Sequence, residues 1–351
     1  MARIIINGTF YGDKLTGIER FAHEITTRLD ALSAPGEFSL VFPPVVPYSI
    51  PSFKNIAVVH LPKTPGKQFK NVKLALYILF KRLCCLDYGN RTPPFGHGVV
   101  FLHDIYCRVH QEDFKTAADK KTMKKTCRMY ERIARKADTI CTVSEFSKRQ
   151  IMEYYGVAAE KIEVIYSGSD HMNSIVPDSG IFDRIPELNE KPFYFTLGSL
   201  SLRKNLKWIA DHAELYPEEL FVISGTALKN VVPPELAKLQ TLKNVIQAGY
   251  LSDAEVKALM QRCKAFVFPS YFEGFGLPPL EALSCGAPVI IGKAASLPEI
   301  YGNCAHYIDP FKPDADLDKL LAEPVADPAA LFEKYSLDRS AERLYTLLKT
   351  R

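Results

Sequence analysis

No apolar run in these 351 residues approaches the roughly 20 that a membrane-spanning helix needs. The start, MARIIINGTFYG, has too short an apolar stretch for a signal peptide and runs straight into turn residues. A cytoplasmic protein is therefore expected. The eight cysteines, at 84, 85, 107, 127, 141, 263, 285 and 304, contain no CxxC pair. Several, such as Cys141 in DTICTVS, sit in apolar patterns and read as small buried hydrophobes. There is no low-complexity tract and no repeat between the halves. There is also no RNA-binding or helix-turn-helix signature, so nucleic acid is not an expected partner.

What is present is ordinary for a globular chain. Hydrophobic residues make up 47% and charged residues 24%, which excludes a disordered tail, a coiled coil and a collagen-like protein. The length suggests two domains. The net charge of +4 hides an asymmetry: residues 1–180 carry 25 Lys and Arg against 18 Asp and Glu, whereas residues 181–351 carry 19 against 22. A basic first half points to an anionic partner on that side, whether phosphate, membrane surface or nucleic acid, the last without a supporting signature.

Short β-branched or aromatic runs alternate with helical patterns along the chain. Candidate strands are 3–7, 39–42, 56–60, 99–103, 139–143 and 162–165, then 193–197, 220–224, 245–247, 265–269, 288–291 and 306–308. Helical patterns cover 18–32, 116–136 and 147–155. Buried runs separated by helices imply parallel sheets. The stretch 167–191, rich in Ser, Asp, Pro and Gly, has linker composition. The expected architecture is α/β: two doubly wound parallel-sheet, Rossmann-like domains facing a cleft. Residues 1–172 form the first, 173–335 the second, and 336–351 a C-terminal helix returning to the first. Ligands of such sheets collect at the carboxyl ends of the strands.

Four segments carry candidate chemistry. Asn7–Arg20 follows the first strand and brings Gly8, Gly12 and Gly17 to the start of a helix, where backbone N–H groups can approach an anion. Its spacing is neither GxGxxG nor GxxxxGK[ST], so a dinucleotide fold or P-loop is not supported, and an ordinary βα loop is the alternative. In Gly98–Asp104, His103 stands where an apolar strand ends, and an imidazole there can donate to a substrate hydroxyl or phosphate. No second His or Cys lies at ligand spacing, so a metal is not expected. In Gly198–Leu206, Arg203 and Lys204 precede a helix. Two cations at the positive end of a helix make sense if a diphosphate sits there, although a solvated pair is the plain alternative.

The fourth segment is the most specific. In PSYFEGFGLPPLEALSCGAP, a strand ends at Pro269 and a glycine-rich loop follows. Pro278 or Pro279 suits a first helical turn, and Gly286 with Pro288 ends the helix. Glu273 lies in the loop and Glu281 near the start of the helix, so the two carboxylates can face one ligand from different heights. The N–H groups of Gly274, Phe275, Gly276 and Leu277 suit an anion or a sugar oxygen. Elsewhere, Ser252–Glu255 reads as a capping box and Asp314–Asp318 as a solvated acidic turn.

The stretch GYLSDAEVKALMQRCKAFVFPSYFEGFGLPPLEALSCGAPVI resembles the nucleotide-sugar-binding region of the retaining glycosyltransferases of family 4, which have the GT-B fold. The family's E-x7-E pattern matches Glu273 and Glu281, and its arginine–lysine pair matches Arg203 and Lys204. Its N-terminal glycine loop resembles GDKLTGIERF, and its strand-ending HD matches His103 and Asp104. TVSEFSKRQIMEYYGV and YSLDRSAERL are similar to the end of its first domain and to its C-terminal helix. Bacterial surface-polysaccharide mannosyl- and rhamnosyltransferases look most similar.

The resemblance implies roles residue by residue. Glu273, His103 and Lys204 would be catalytic: Lys204 with Arg203 would neutralise the leaving diphosphate, Glu273 and residues 274–277 would hold the donor sugar, and His103 would reach that sugar. Glu281 would hold the ribose hydroxyls, Tyr250 and Leu251 would lie near the base, and Gly17 near the phosphates or acceptor. The chain departs from the family at Ser199 and at Tyr166-Ser167-Gly168, where many members have arginine and Asn-Gly. The implied reaction moves a sugar, with retention, from a GDP-, UDP- or dTDP-sugar to a glycan or lipid-linked glycan, with no metal and no cofactor. Rival readings are a nucleotide-sugar epimerase of the same architecture, a phosphorylase, for which no pyridoxal lysine is evident, and a non-enzymatic nucleotide-sugar binding protein.

An anionic membrane surface is a further candidate partner, which would place the protein peripherally on the inner face of the cell membrane. Residues 63–86 carry Lys63, Lys67, Lys70, Lys73, Lys81 and Arg82 around the apolar run Leu74–Phe80. That run is too short to span a bilayer but can lie in its interface; a core helix over Leu74–Leu86 is the alternative. A second basic stretch is Lys120–Lys136.

Overall fold

The runs of β-branched and aromatic residues form parallel strands. In the computed structural model, residues 4–12, 17–42, 51–61, 72–81, 83–89, 98–199, 201–225 and 234–350 are described. The chain divides into two units, Met1–Ser167 with Tyr335–Arg351, and Gly168–Lys334.

The first unit holds β1 (Ile4–Asn7), β2 (Phe38–Phe42), β3 (Ala57–His60), β4 (Cys84–Asp87), β5 (Gly98–Phe101), β6 (Thr139–Thr142) and β7 (Ile162–Val164). They form one sheet in the order β3-β2-β1-β4-β5-β6-β7, every neighbouring pair parallel. Among the described residues, the helices of eight residues or more in the Met1–Ser167 part of this unit are α1 (Gly17–Leu32), α2 (Leu74–Lys81), α3 (Ala117–Lys136) and α4 (Glu145–Tyr155).

Side-chain alternation assigns these helices to faces. Ile4 and Ile6 point with Leu86, Val99 and Phe101 into one core, which α1 covers with Phe21, Ala22, Ile25 and Leu29. Ile5 and Cys85 point to the opposite face, beneath Leu74 and Ile78 of α2. Val100 and Ile140 share that second face and lie beneath Tyr130, Ile133 and Ala134 of α3. A capping box at Thr116 and Asp119 starts α3, and Ser144 caps α4.

One element departs from the sequence reading. Cys84–Asp87 is a central strand, flanked by β1 and β5, rather than the end of a helix running to Leu86. LCCLDY follows the helix with no glycine or proline to mark a boundary, so a four-residue strand merges with the apolar run before it.

The second unit holds β8 (Phe193–Leu197), β9 (Leu220–Ser224), β10 (Val245–Gly249), β11 (Ala265–Phe268), β12 (Val289–Gly292) and β13 (His306–Ile308). Their order is β10-β9-β8-β11-β12-β13, again all parallel. Its longer helices are α5 (Leu206–Leu215), α6 (Asp253–Arg262) and α7 (Leu277–Ser284). The Ser252–Glu255 capping box opens α6. The last helix, α8 (Leu337–Lys349), packs on the first unit: Leu337, Ala341, Leu344 and Leu348 join the core beneath α1. Asp338 pairs with Arg28, and Ser340 donates to Tyr166 O.

Candidate functional site

In the second unit the segments after β8 and after β11 meet at the carboxyl edge of the sheet. Beyond β8 the chain makes a single 3-10 turn, Leu202–Lys204, and then passes through Asn205 at φ +55° into α5. Asparagine tolerates this left-handed conformation, and its Nδ2 donates to Pro269 O at 3.0 Å and Pro310 O at 2.6 Å. Those bonds tie the Arg203–Lys204 turn to the end of β11. Tyr271 N adds a 3.1 Å bond to Arg203 O.

The result is a charge cluster in which two half-buried cations flank a buried carboxylate. Lys204 Nζ lies 2.7 Å from Glu273 Oε1 and 4.6 Å from the centre of the Phe268 ring. Arg203 Nη1 is 3.8 Å from Glu273 Oε2. Ser270 Oγ is 2.6 Å from Glu273 Oε1 and 2.7 Å from Arg203 O. Glu273 is only 5% exposed. Burial pushes its carboxyl up, but the Lys204 and Arg203 charges, with hydrogen bonds from Lys204 and Ser270, outweigh burial and hold it below the ordinary carboxylate range. Glu273 is therefore an anion, and two cations sit beside it.

The loop to α7 is held in one shape. Gly276 has φ +81°, and a Cβ there would stand 2.4 Å from Leu297 Cδ2, so no larger residue fits without a shift. Tyr301 donates to Gly276 O, and Ser296 donates to Glu273 O at 3.0 Å. Proline occupies the first turn of α7, and Gly286 at φ +85° follows its end. Gly274, Phe275 and Gly276 are buried at the positive end of that helix.

Glu281, one turn into α7, is also buried, but its partner is one the sequence did not suggest. His171 Nε2 lies 3.0 Å from Glu281 Oε1. His171 belongs to a 3-10 turn, Asp170–Ser174, within the stretch read as linker. Its only sequence signal was a histidine among polar turn residues, which marks no site. Ser270 was likewise missed, being an ordinary strand-end serine.

Tyr250 and Leu251 follow β10 and diverge: Tyr250 is 78% exposed, whereas Leu251 is buried and can offer a ligand little beyond its backbone. The acidic turn is absorbed structurally, with Asp316 capping a short helix and Asp318 paired with Lys264. Among the described residues no group of three or more His, Cys, Asp or Glu could hold a metal ion.

In the first unit, His103 lies two residues beyond β5 at the carboxyl edge of its sheet. Its ring packs on Phe101 and against the edge of Phe21. Nε2 is 2.8 Å from Tyr88 O, and a carbonyl only accepts, so Nε2 carries the proton. Burial lowers the His103 pKa, and the ring is neutral near pH 7. Beside it, Asn7 at the end of β1 donates to Asp87 at the end of β4 across 2.7 Å. Gly17 opens α1, and a Cβ added there would meet nothing within 4 Å. Residues 13–16 of the glycine loop, and Lys63, Lys67, Lys70 and Arg82 of the basic stretch, lie outside the described residues.

Residues 180–334 match the family of glycosyl transferases group 1, and residues 97–172 match Glycosyltransferase Family 4. Among curated proteins, the serotype-specific mannosyltransferase WbdA of Escherichia coli is 34% identical over 48% of this chain and 22% of its own length. The O-antigen chain mannosyltransferase B of Escherichia coli is 30% identical over 51% of this chain and 49% of its own length. The chain thus spans half or less of these two relatives. Among solved structures, Anabaena Alr3699/HepE in complex with UDP and glucose superposes with a TM-score of 0.70 at 17% identity, covering 99% of both chains. That likeness shows the fold, GT-B.

Proposed function

We propose that this chain, which carries a Glycosyltransferase Family 4 domain followed by a glycosyl transferases group 1 domain, transfers a sugar from a nucleotide-sugar donor to a glycan or lipid-linked glycan during polysaccharide biosynthesis. The observation that carries this reading is the Arg203–Lys204–Glu273 cluster, two half-buried cations around a buried carboxylate, at the carboxyl edge of the second sheet. Two cations beside an ionised carboxylate suit a ligand with a doubly charged phosphate end and a hydroxyl-rich end. Lys204 and Arg203 stabilise the leaving diphosphate, and Glu273 accepts from donor-sugar hydroxyls. Gly274–Leu277 bring the N-terminal end of α7 to the same ligand. Glu281 holds the ribose, and the segment at Tyr250–Leu251 lies by the base. His103, neutral at the carboxyl edge of the first sheet, contacts the donor sugar.

The stereochemical course is retention through an oxocarbenium-like state. The departing phosphate oxygen takes the acceptor proton, because the cluster's carboxylate is neutralised by cations rather than poised as a base. No metal participates. The two relatives, a serotype-specific mannosyltransferase and an O-antigen chain mannosyltransferase, support a GDP- or other nucleotide-linked mannose as the first donor to try. The test is thermal stabilisation by a panel of GDP-, UDP- and dTDP-sugars, followed by transfer assays with the donor that binds. A ligand at 100 times its Kd adds about 2.7 kcal/mol. A panel that leaves the melting temperature unmoved refutes the reading. The anomeric configuration of the product, read by NMR coupling constants, tests retention.

We also propose that the first unit works against an anionic membrane. The α2 and α3 helices cover the same face of the seven-stranded sheet, so their outer sides look the same way. On α2, Leu76, Leu79 and Phe80 are exposed, Phe80 by 79% and Leu79 by 54%, with Val72 exposed one turn before. Full burial of such a side chain is worth about 1.5–3 kcal/mol, and these half- to mostly exposed ones forfeit a corresponding part of it in water. On α3, Lys120, Lys121, Lys124, Lys125, Arg128, Arg135 and Lys136 are exposed. Apolar insertion beside a cationic face suits acidic lipid, at about 1 kcal/mol per cation near the surface. Co-sedimentation should be strong with acidic vesicles, weak with neutral ones, and reduced by salt and by Leu79→Glu with Phe80→Ser. Equal recovery with both vesicle types removes the idea. Among the described residues no helix is long and apolar enough to cross a membrane.

A further inference from the structure

The His171–Glu281 pair is a buried ionisable contact that neither the sequence pattern nor the charge cluster explains. Both residues are buried, 7% and 8% exposed. His171 Nε2 faces Glu281 Oε1 at 3.0 Å, and a carboxylate accepts, so Nε2 donates. That fixes one oxygen. The other, Oε2, has no hydrogen-bond partner among the described residues and remains to accept. His171 Nδ1 is buried and has no partner among them either. An orphaned buried nitrogen is costly, and an apolar side chain would fill the same space without that cost. The histidine is held in place nonetheless. Lys257 Nζ donates to Met172 O at 2.7 Å and Ile175 O at 2.8 Å, bracketing the turn from α6, and Ser174 Oγ donates to His171 O at 3.0 Å.

We infer that His171 is a positioning residue for the nucleotide end of the donor: it occupies Oε1 of Glu281 and so presents Oε2 to the ribose hydroxyls. The inference rests on the reading of Glu281 as the ribose carboxylate. His171 itself touches no substrate. It acts by fixing the rotamer and the free lone pairs of a carboxylate that would otherwise turn within its pocket. A histidine of merely structural importance would affect binding of every ligand alike. A positioning residue affects only ligands with ribose hydroxyls.

The experiment is a cycle of protein variants against ligand variants, read by titration calorimetry on the full chain. The probes are UDP and GDP with their 2′,3′-dideoxy counterparts, and the variants are His171→Ala, His171→Gln and Glu281→Ala. His171→Ala is expected to weaken the ribose-bearing nucleotide about tenfold, equal to about 1.4 kcal/mol, and to leave the dideoxy form within about twofold. His171→Gln, whose amide can donate from a similar position, should recover most of the loss. Glu281→Ala should likewise weaken only the ribose-bearing form, so that the two forms bind it alike. Should His171→Ala unfold the unit, His171→Leu fills the space without a donor and replaces it. Equal loss for both ligand forms, or no loss, while Glu281→Ala weakens only the ribose-bearing form, overturns the role of His171 alone. An equal effect of Glu281→Ala on both forms, or failure of every nucleotide to bind, overturns the reading of Glu281 and with it the inference.

Discussion

Replacing Lys204 by methionine keeps most of the stem but removes the ammonium 2.7 Å from Glu273. In the native protein the Glu273 carboxyl lies below its ordinary value of 4.5. Its pairing therefore contributes stability above pH 4.5, and that contribution is lost as pH falls through the lower folded value. Without Lys204, burial becomes the dominant influence and pushes the carboxyl above its ordinary value. At acid pH the variant's Glu273 is protonated and needs no cation. As pH rises through the raised value, an undercompensated buried charge appears. Breaking a buried pair outright costs about 3–5 kcal/mol. Arg203 at 3.8 Å and the Ser270 hydroxyl remain, which brings the expected loss to about 2 kcal/mol at pH 8. For a unit of this size that is about 4–8 °C in melting temperature. At pH 5 the loss should be under half as large. A Glu273→Gln change in the Lys204→Met background should recover part of it, giving a coupling energy of about 2 kcal/mol in the double-mutant cycle. Calorimetric scans of the four proteins at both pH values provide the data. The same temperature loss at pH 5 and pH 8, or a coupling below about 0.5 kcal/mol, refutes the argument that Lys204 exists to compensate a buried anion.

Lys204→Met and Glu273→Gln should each reduce kcat/KM by about 100-fold or more with the correct donor, the scale of one lost transition-state contact; near-native turnover in either removes it from the catalytic set. Gly276→Ala should destabilise the second unit by about 1–3 kcal/mol, through a positive φ and a contact with Leu297, as measured by denaturant unfolding; a change of a few tenths would show that the loop relaxes freely. His103 is buried with a lowered pKa, so its neutral form contributes stability that is present above the ordinary histidine value of 6.5 and lost as pH falls below it. His103→Gln should flatten the melting profile as pH falls below the ordinary histidine value, and an unchanged slope assigns that dependence elsewhere. Transferase activity should survive EDTA; full loss, restored by Mg²⁺ or Mn²⁺, overturns the metal-free mechanism.

Much of the architecture was legible because it is written locally. Phe193–Leu197 and Leu220–Ser224 are apolar runs bounded by turn residues, and they are strands at those limits. Proline early and glycine late delimit α7, and Ser252 with Glu255 marks the start of α6, because backbone dihedrals and capping bonds involve residues a few positions apart. The parallel class follows from the same source, since apolar strands buried on both faces need helices between them. The E-x7-E and RK spacings also belong to single segments, so Arg203, Lys204, Glu273 and Glu281 could be marked one by one.

Tertiary structure decided which of these meet. Lys204 and Glu273 are 69 residues apart, and their ion pair depends on β8 lying beside β11, an order no local pattern encodes. His171 and Glu281 are 110 residues apart, and the histidine acquires meaning only when its turn packs against α7. Cys84–Asp87 became the centre of a sheet because β1 and β5 were there to accept its hydrogen bonds, while its own four residues are too few to distinguish strand from helix end. The exposed apolar side of α2 is similar: Leu74 and Leu79 are alike in sequence, and only the sheet beneath decides that one is buried and the other faces water. Pattern sets what each segment can form; the long-range register of strands sets what each side chain touches.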